Sequence, residues 1–134
     1  MAETQDLTDV VNQTMPLGAT LGIRTSGGPD EVEATLSWAP ELCTAGGVLH
    51  GGVLMALADS AGGVCAFLNL PAGATTSTIE SKTNFFAAVR EGEVRARSRP
   101  HPRGRTTVVI ETDIFDATGR HVARTTQTQA VLTS

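Results

Sequence analysis

Asp59 is the only charged residue between Glu41 and Glu80 in this chain of 134 residues. No Lys or Arg stands three or four positions from it to pair with it along a helix. Apolar company disfavours a carboxylate, and perturbed groups of that kind concentrate where chemistry is done. Such an acid can take a proton from water or attack a carbonyl carbon itself. Nine residues earlier, His50-Gly51-Gly52 opens the same apolar segment. If a helix begins there, its first amides lack intrahelical acceptors and sit at the positive end of the dipole. Glycine lets a ligand oxygen approach that backbone closely, which is the chemistry of an oxyanion or anion site. Each signal has a plainer reading alone: an Asp that caps backbone or faces an interface, and a glycine-rich loop before a helix.

Spacing adds a constraint. Eight residues separate Gly51 from Asp59, so on one helix they lie about 12 Å apart. One copy of the helix cannot bring both to one reacting carbon. Two antiparallel copies about a two-fold axis could, so a shared substrate predicts at least a dimer with sites at the interface.

The elements that must hold these residues follow from periodicity. Residues 51–68 are apolar nearly all round, which predicts a helix enclosed by other structure. Small residues such as Ala56, Ser60, Gly62 and Gly63 would let another backbone come close. A short helix is expected over residues 4–14, capped by Thr4 or Asp6 and broken by Met15-Pro16-Leu17-Gly18. A strand near Ile23 leads to a turn at residues 27–30. Val32, Ala34, Leu36 and Trp38 then alternate in a second strand. After the helix, strands are expected at residues 75–86, 93–99, 106–115 and 121–132, with Asp116-Ala117-Thr118-Gly119 as a hairpin turn. Antiparallel strands covering one helix make an α+β fold, and the length fits one domain over residues 1–134.

Composition excludes several classes. The apolar share is 40%, ordinary for a globular chain, and the net charge is −4. An acidic protein is a poor match for a nucleic-acid polymer. Residues 1–59 hold eight acids and one base, whereas residues 90–105 hold six arginines against two glutamates. That patch suits a small polyanion, although Arg95, Arg97 and Arg99 share parity and would also suit a solvated strand face. Residues 48–70 are apolar, but a central Asp and four glycines favour a buried helix over a membrane span. The first residues show no signal-peptide pattern. Cys43 and Cys65 have no CxxC spacing and read as buried free thiols of a reducing, cytoplasmic compartment. His101 and His121 lack a metal-ligand spacing and read as turn or surface residues.

The run from Gly47 through His50-Gly51-Gly52 to Ala58-Asp59, with residues 78–86 and Val89-Arg90-Glu91-Gly92, resembles the hotdog-fold acyl-CoA thioesterases. It is most similar to their phenylacetate-degradation (PaaI-like) group, across residues 32–132. The resemblance implies a sheet wrapped round a central helix and a homodimer with one continuous sheet, often paired into a tetramer. It implies hydrolysis of acyl-CoA without metal or organic cofactor, coenzyme A being part of the substrate. It places Asp59 as the catalytic acid, the Gly51 amide as oxyanion donor, His50 as a loop-shaping residue and Thr78 as a water-orienting hydroxyl. Thr44 stands where many members carry Asn or Gln, and Ala87-Ala88 where Arg-Pro is common. Arg103, Arg105 and Thr106 resemble a loop that holds coenzyme A phosphate or pantetheine, with Gly52 and Arg90 beside the substrate. Two other readings stand beside hydrolysis: a non-catalytic acyl-CoA-binding protein, and a hotdog hydratase or dehydratase.

Overall fold

The computed structural model describes residues 4–133. The outermost residues of the expected domain, 1–3 and 134, lie outside that range. In chain order the elements are β1 Gln5–Asp6, α1 Thr8–Thr14, α2 Pro16–Leu21, β2 Arg24–Gly28, β3 Glu31–Ser37, α3 Gly51–Leu68, β4 Thr75–Phe85, β5 Glu93–Pro100, β6 Thr107–Phe115 and β7 His121–Leu132. Single 3-10 turns at Pro40–Leu42 and Ala45–Gly47 join β3 to α3.

Alternation decides which side of each strand turns inward. Val32, Ala34 and Leu36 of β3, Val94, Ala96 and Ser98 of β5, and Val108, Ile110, Thr112 and Ile114 of β6 are buried. The apolar ones pack with Leu54, Leu57, Ala58, Ala61 and Cys65 of α3 in one core, and Ser98 bonds Thr112 hydroxyl to hydroxyl at 2.7 Å. A buried Val, Leu or Ile contributes about 1.5–3 kcal/mol by leaving water. The seven strands form one antiparallel sheet in the order β1-β2-β3-β5-β6-β7-β4. Helix α3 crosses its concave face between β3 and β4, touching β3, β5, β6, β4 and β7. The fold is the hotdog arrangement that the resemblance implies.

The N-terminal segment departs from expectation. Residues 5–6 pair with Ser26 and Gly27 as a short edge strand, so α1 begins only at Thr8. Asp6 still serves it, its Oδ1 accepting the Thr8 amide at 3.0 Å. Met15-Pro16 ends α1 as expected, Met15 leaving helical backbone (φ −121, ψ 87), but a second helix follows at once. Pro16 takes the first position of α2, where its missing N–H would have had no partner anyway. Trp38 lies past the end of β3, where its indole donates to the Gly47 carbonyl at 3.0 Å.

Two surfaces remain uncovered. Helix α3 is not enclosed all round, because the sheet covers one side and Gly52, Met55, Asp59 and Phe67 stay exposed on the other. By length and mean hydropathy of 1.6 the helix could cross a membrane, yet nine of its residues are buried against the sheet and its neighbours. Among the described residues strand β4 pairs only with β7, leaving its second edge unpaired, and Ile79 on it is 63% exposed.

Candidate active site

The start of α3 is fixed by His50. Its backbone is extended (φ −60, ψ 133), its Nδ1 accepts the Gly52 amide at 2.8 Å, and its carbonyl accepts the Val53 amide at 2.9 Å. This is the work of an N-cap. It leaves the Gly51 amide as a first-turn donor with no acceptor among the described residues. The Phe85 ring lies over this point: a Cβ on Gly51 would come within 3.2 Å of it. Gly52, expected among the substrate contacts, has its amide occupied by His50 and offers only its open face.

Asp59 follows on the same unbroken helix. Its expected apolar enclosure is not found in the protomer, where the residue is exposed on the open stripe of α3. Gln127 of β7 donates from Nε2 to Asp59 Oδ1 at 3.3 Å. Thr78, on β4, accepts from Gln129 Nε2 at 2.8 Å, and the Gln129 carbonyl oxygen in turn accepts from Thr76 at 3.1 Å. Thr83 and Thr125 bond hydroxyl to hydroxyl at 2.7 Å. A polar row thus lines β7 where it faces α3 and β4. Gln127 and Gln129 were not among the expected site residues. Their signal was available: two amides on the inward parity of a strand otherwise carrying Ala123, Thr125 and Val131.

Thr44 is exposed, its amide bonded to the Val48 carbonyl at 2.8 Å, and no hydrogen bond joins it to Asp59. Beside His50 a cavity of about 390 Å³ opens between α2, the loop before α3 and the helix itself. Leu17, Leu21, Leu42, Val53 and Ala56 give it apolar walls, and Glu41 and Cys43 complete it. The leucines of α2 were not expected here. They come from α2, a helix that the sequence signals do not predict.

The arginine patch divides. Arg97 and Arg99 converge on Glu31 at 3.1 and 2.8 Å, and Arg95 lies 4.0 Å from Glu93, so these three are the solvated outer face of β5. Burial raises the Glu31 carboxyl, but the hydrogen bonds and charges of Arg99 and Arg97 outweigh it and hold the group below its usual range. Arg90 donates to the Gly46 carbonyl at 3.3 Å, bracing the loop that leads to His50. Arg103 and Arg105 make no ion pair among the described residues and stand exposed between β5 and β6, with Thr106. The Thr106 carbonyl ties that loop to Val131 at 2.8 Å. His101 is exposed 3.4 Å from Glu111, whereas His121 lies between the Phe86 and Phe115 rings. Cys43 is half-buried and Cys65 buried, both free. Burial, with the charges of Asp30 and Glu31, pushes the Cys65 thiol up to about 12, which makes it a poor nucleophile. No group of three or more His, Cys, Asp and Glu side chains suited to a metal gathers among the described residues.

Comparison with known proteins agrees with this architecture. The profile of the thioesterase superfamily matches residues 46–123. The 1,4-dihydroxy-2-naphthoyl-CoA hydrolase of Escherichia coli is 32% identical over 105 residues, which cover 78% of this chain and 77% of that one. The proofreading thioesterase EntH of Cronobacter sakazakii is 30% identical over 105 residues, with the same two coverages. The crystal structure of a thioesterase from Haemophilus influenzae superposes with a TM-score of 0.85 at 33% identity, over 91% of this chain and 87% of that one.

Proposed function

The chain belongs to the thioesterase superfamily, and from that premise we propose that it hydrolyses acyl-CoA or aroyl-CoA thioesters at a site shared by two copies of itself. One observation carries the reading. The unpartnered Gly51 amide and the Asp59 carboxylate lie on one helix, on or beside its uncovered stripe, about 12 Å apart. Neither can serve the other's carbonyl carbon within a protomer. A second copy pairing along the free edge of β4 would continue the sheet and set one α3 against the other, Asp59 of one protomer facing Gly51 of its partner.

In this arrangement the thioester carbonyl oxygen points at the Gly51 N–H. Asp59 removes a proton from water, and the hydroxide oxygen bonds to the carbonyl carbon. The negative charge that gathers on the carbonyl oxygen meets the amide and the helix dipole. The C–S bond then breaks, and the coenzyme A thiolate leaves and takes up the proton. Direct attack by Asp59, with water later cleaving the anhydride, uses the same carboxylate and the same donor. The cavity beside His50 takes an apolar acyl group, and the unpaired Arg103 and Arg105 take the phosphates of coenzyme A. A named aroyl-CoA hydrolase among the relatives supports the coenzyme A ester as substrate class. The reaction asks for no metal or organic cofactor. The homodimer, and a tetramer built from two of them, would work in the cytoplasm, where coenzyme A esters are made.

Free coenzyme A released from short, medium, long and aromatic acyl-CoAs, followed by mass, tests this reading. We expect turnover on part of the panel and a loss of about a hundredfold or more in Asp59→Asn, within what removing a positioned acid–base group costs. Equal turnover by the variant, or binding of coenzyme A esters without any release, would contradict it.

A further inference from the structure

Gln127 is 1% exposed, in the inward row of β7 between Thr125 and Gln129. A buried amide group left without a partner costs about 1–3 kcal/mol. Gln127 Nε2 spends its hydrogen bond on Asp59 Oδ1 at 3.3 Å, while Oε1 is buried with no partner among the described residues. Room for this amide is made by Gly62, one turn of α3 beyond Asp59: a Cβ on Gly62 would overlap the Gln127 side-chain amide. Glycine inside a helix is itself unfavourable by about 1 kcal/mol relative to alanine. Two locally unfavourable choices therefore meet at one place. Their joint product is a donor fixed against a carboxylate that would otherwise turn freely in an exposed position.

We propose that Gln127 is a positioning residue for hydrolysis, with Gly62 as the residue that admits it. Gln127 holds the Asp59 side chain through Oδ1 and leaves Oδ2 as the oxygen that meets water or the thioester. Gly62 keeps the amide at that depth in the fold. The inference rests on the reading of Asp59 as the reacting carboxylate. An anchored carboxylate loses less freedom on reaching the reactive geometry than a rotating one, so its release slows the chemical step rather than weakening substrate binding.

The test is steady-state coenzyme A release by the full-length protein, Gln127→Met, Asp59→Asn and the double variant. Met keeps nearly the same volume and has no donor. Gln127→Met should lower kcat about tenfold and leave KM within about twofold. In the Asp59→Asn background the same substitution should change the residual rate by less than about twofold, because the group it acts through is gone. A tenfold cost in both backgrounds would mark a structural effect and overturn the proposal. So would wild-type kcat in Gln127→Met with activity lost in Asp59→Asn. Wild-type turnover by Asp59→Asn would overturn the reading of Asp59, and this proposal with it. Should Gln127→Met fail to fold, Gly62→Ala displaces the same amide from the helix side. It must then show the same fall in kcat at unchanged KM, and wild-type kcat there overturns the proposal.

Discussion

Asp113 shows how single residues carry the outer face of the sheet. Arg124 Nε donates to its Oδ1 at 2.7 Å, and His121 Nε2 lies 2.7 Å from the same oxygen. Burial raises the Asp113 carboxyl, but hydrogen bonding and charge from Arg124, then from His121, outweigh it and hold the group below its ordinary value of 3.8. A carboxyl lowered in the folded state stabilises the fold above its unfolded value, and that support is lost as pH falls through the folded one. Thermal unfolding should therefore show Asp113→Asn lowering Tm by about 3 °C near pH 6, with the gap to wild type closing towards pH 3. A gap that does not depend on pH would contradict this assignment. On the helix side, His50, Gly51 and Asp59 were legible because each is chemically odd in its segment: a histidine before two glycines, and one acid in an apolar run. Gln127 was harder to read. Parity puts it inward, but a buried glutamine announces nothing until the neighbour it serves is known.

Among the elements, the strands were legible wherever one face is buried. Alternation along residues 121–132 gave β7 its observed bounds. It failed at the N-terminus, where a two-residue strand is too short to show a period. The break expected at Met15-Pro16 does end α1, but proline ends one helix and begins another with the same signature, so nothing there announces α2. With α2 go the leucines that wall the cavity beside His50. The loop between β5 and β6 makes a separate prediction. Arg103 and Arg105 face no acid among the described residues, so an incoming phosphate displaces no ion pair there. Replacing both with alanine should raise KM for acyl-CoA about tenfold and leave kcat within about twofold, since phosphate contacts serve ground state and transition state alike. The effect should shrink as salt rises. An unchanged KM would place coenzyme A elsewhere.

At the scale of the whole molecule, one side of the chain is left uncovered among the described residues. Three features lie on its uncovered side: the free edge of β4, the open stripe of α3, and the exposed Met55, Phe67, Ile79 and Phe85. A long unpaired strand beside apolar side chains is a surface that proteins cover. The same covering would bring a Gly51 amide to an Asp59 that its own helix keeps about 12 Å away. The spacing of these two residues was legible from the sequence. Which strand ends up at the sheet edge was not, because that depends on strand order, which periodicity does not encode. Co-expression of two crippled chains tests the shared site most directly. One chain carries Asp59→Asn. The other carries Gly51→Pro, which removes the N–H at a first-turn position that tolerates proline and has no left-handed backbone. Each variant alone should keep about a hundredth of wild-type activity or less. Random pairing gives heterodimers in which one of two sites has both groups intact, so acyl-CoA hydrolysis should return to about a quarter of wild type. A mixture no more active than the separate variants would place Gly51 and Asp59 in one protomer's site and contradict the account.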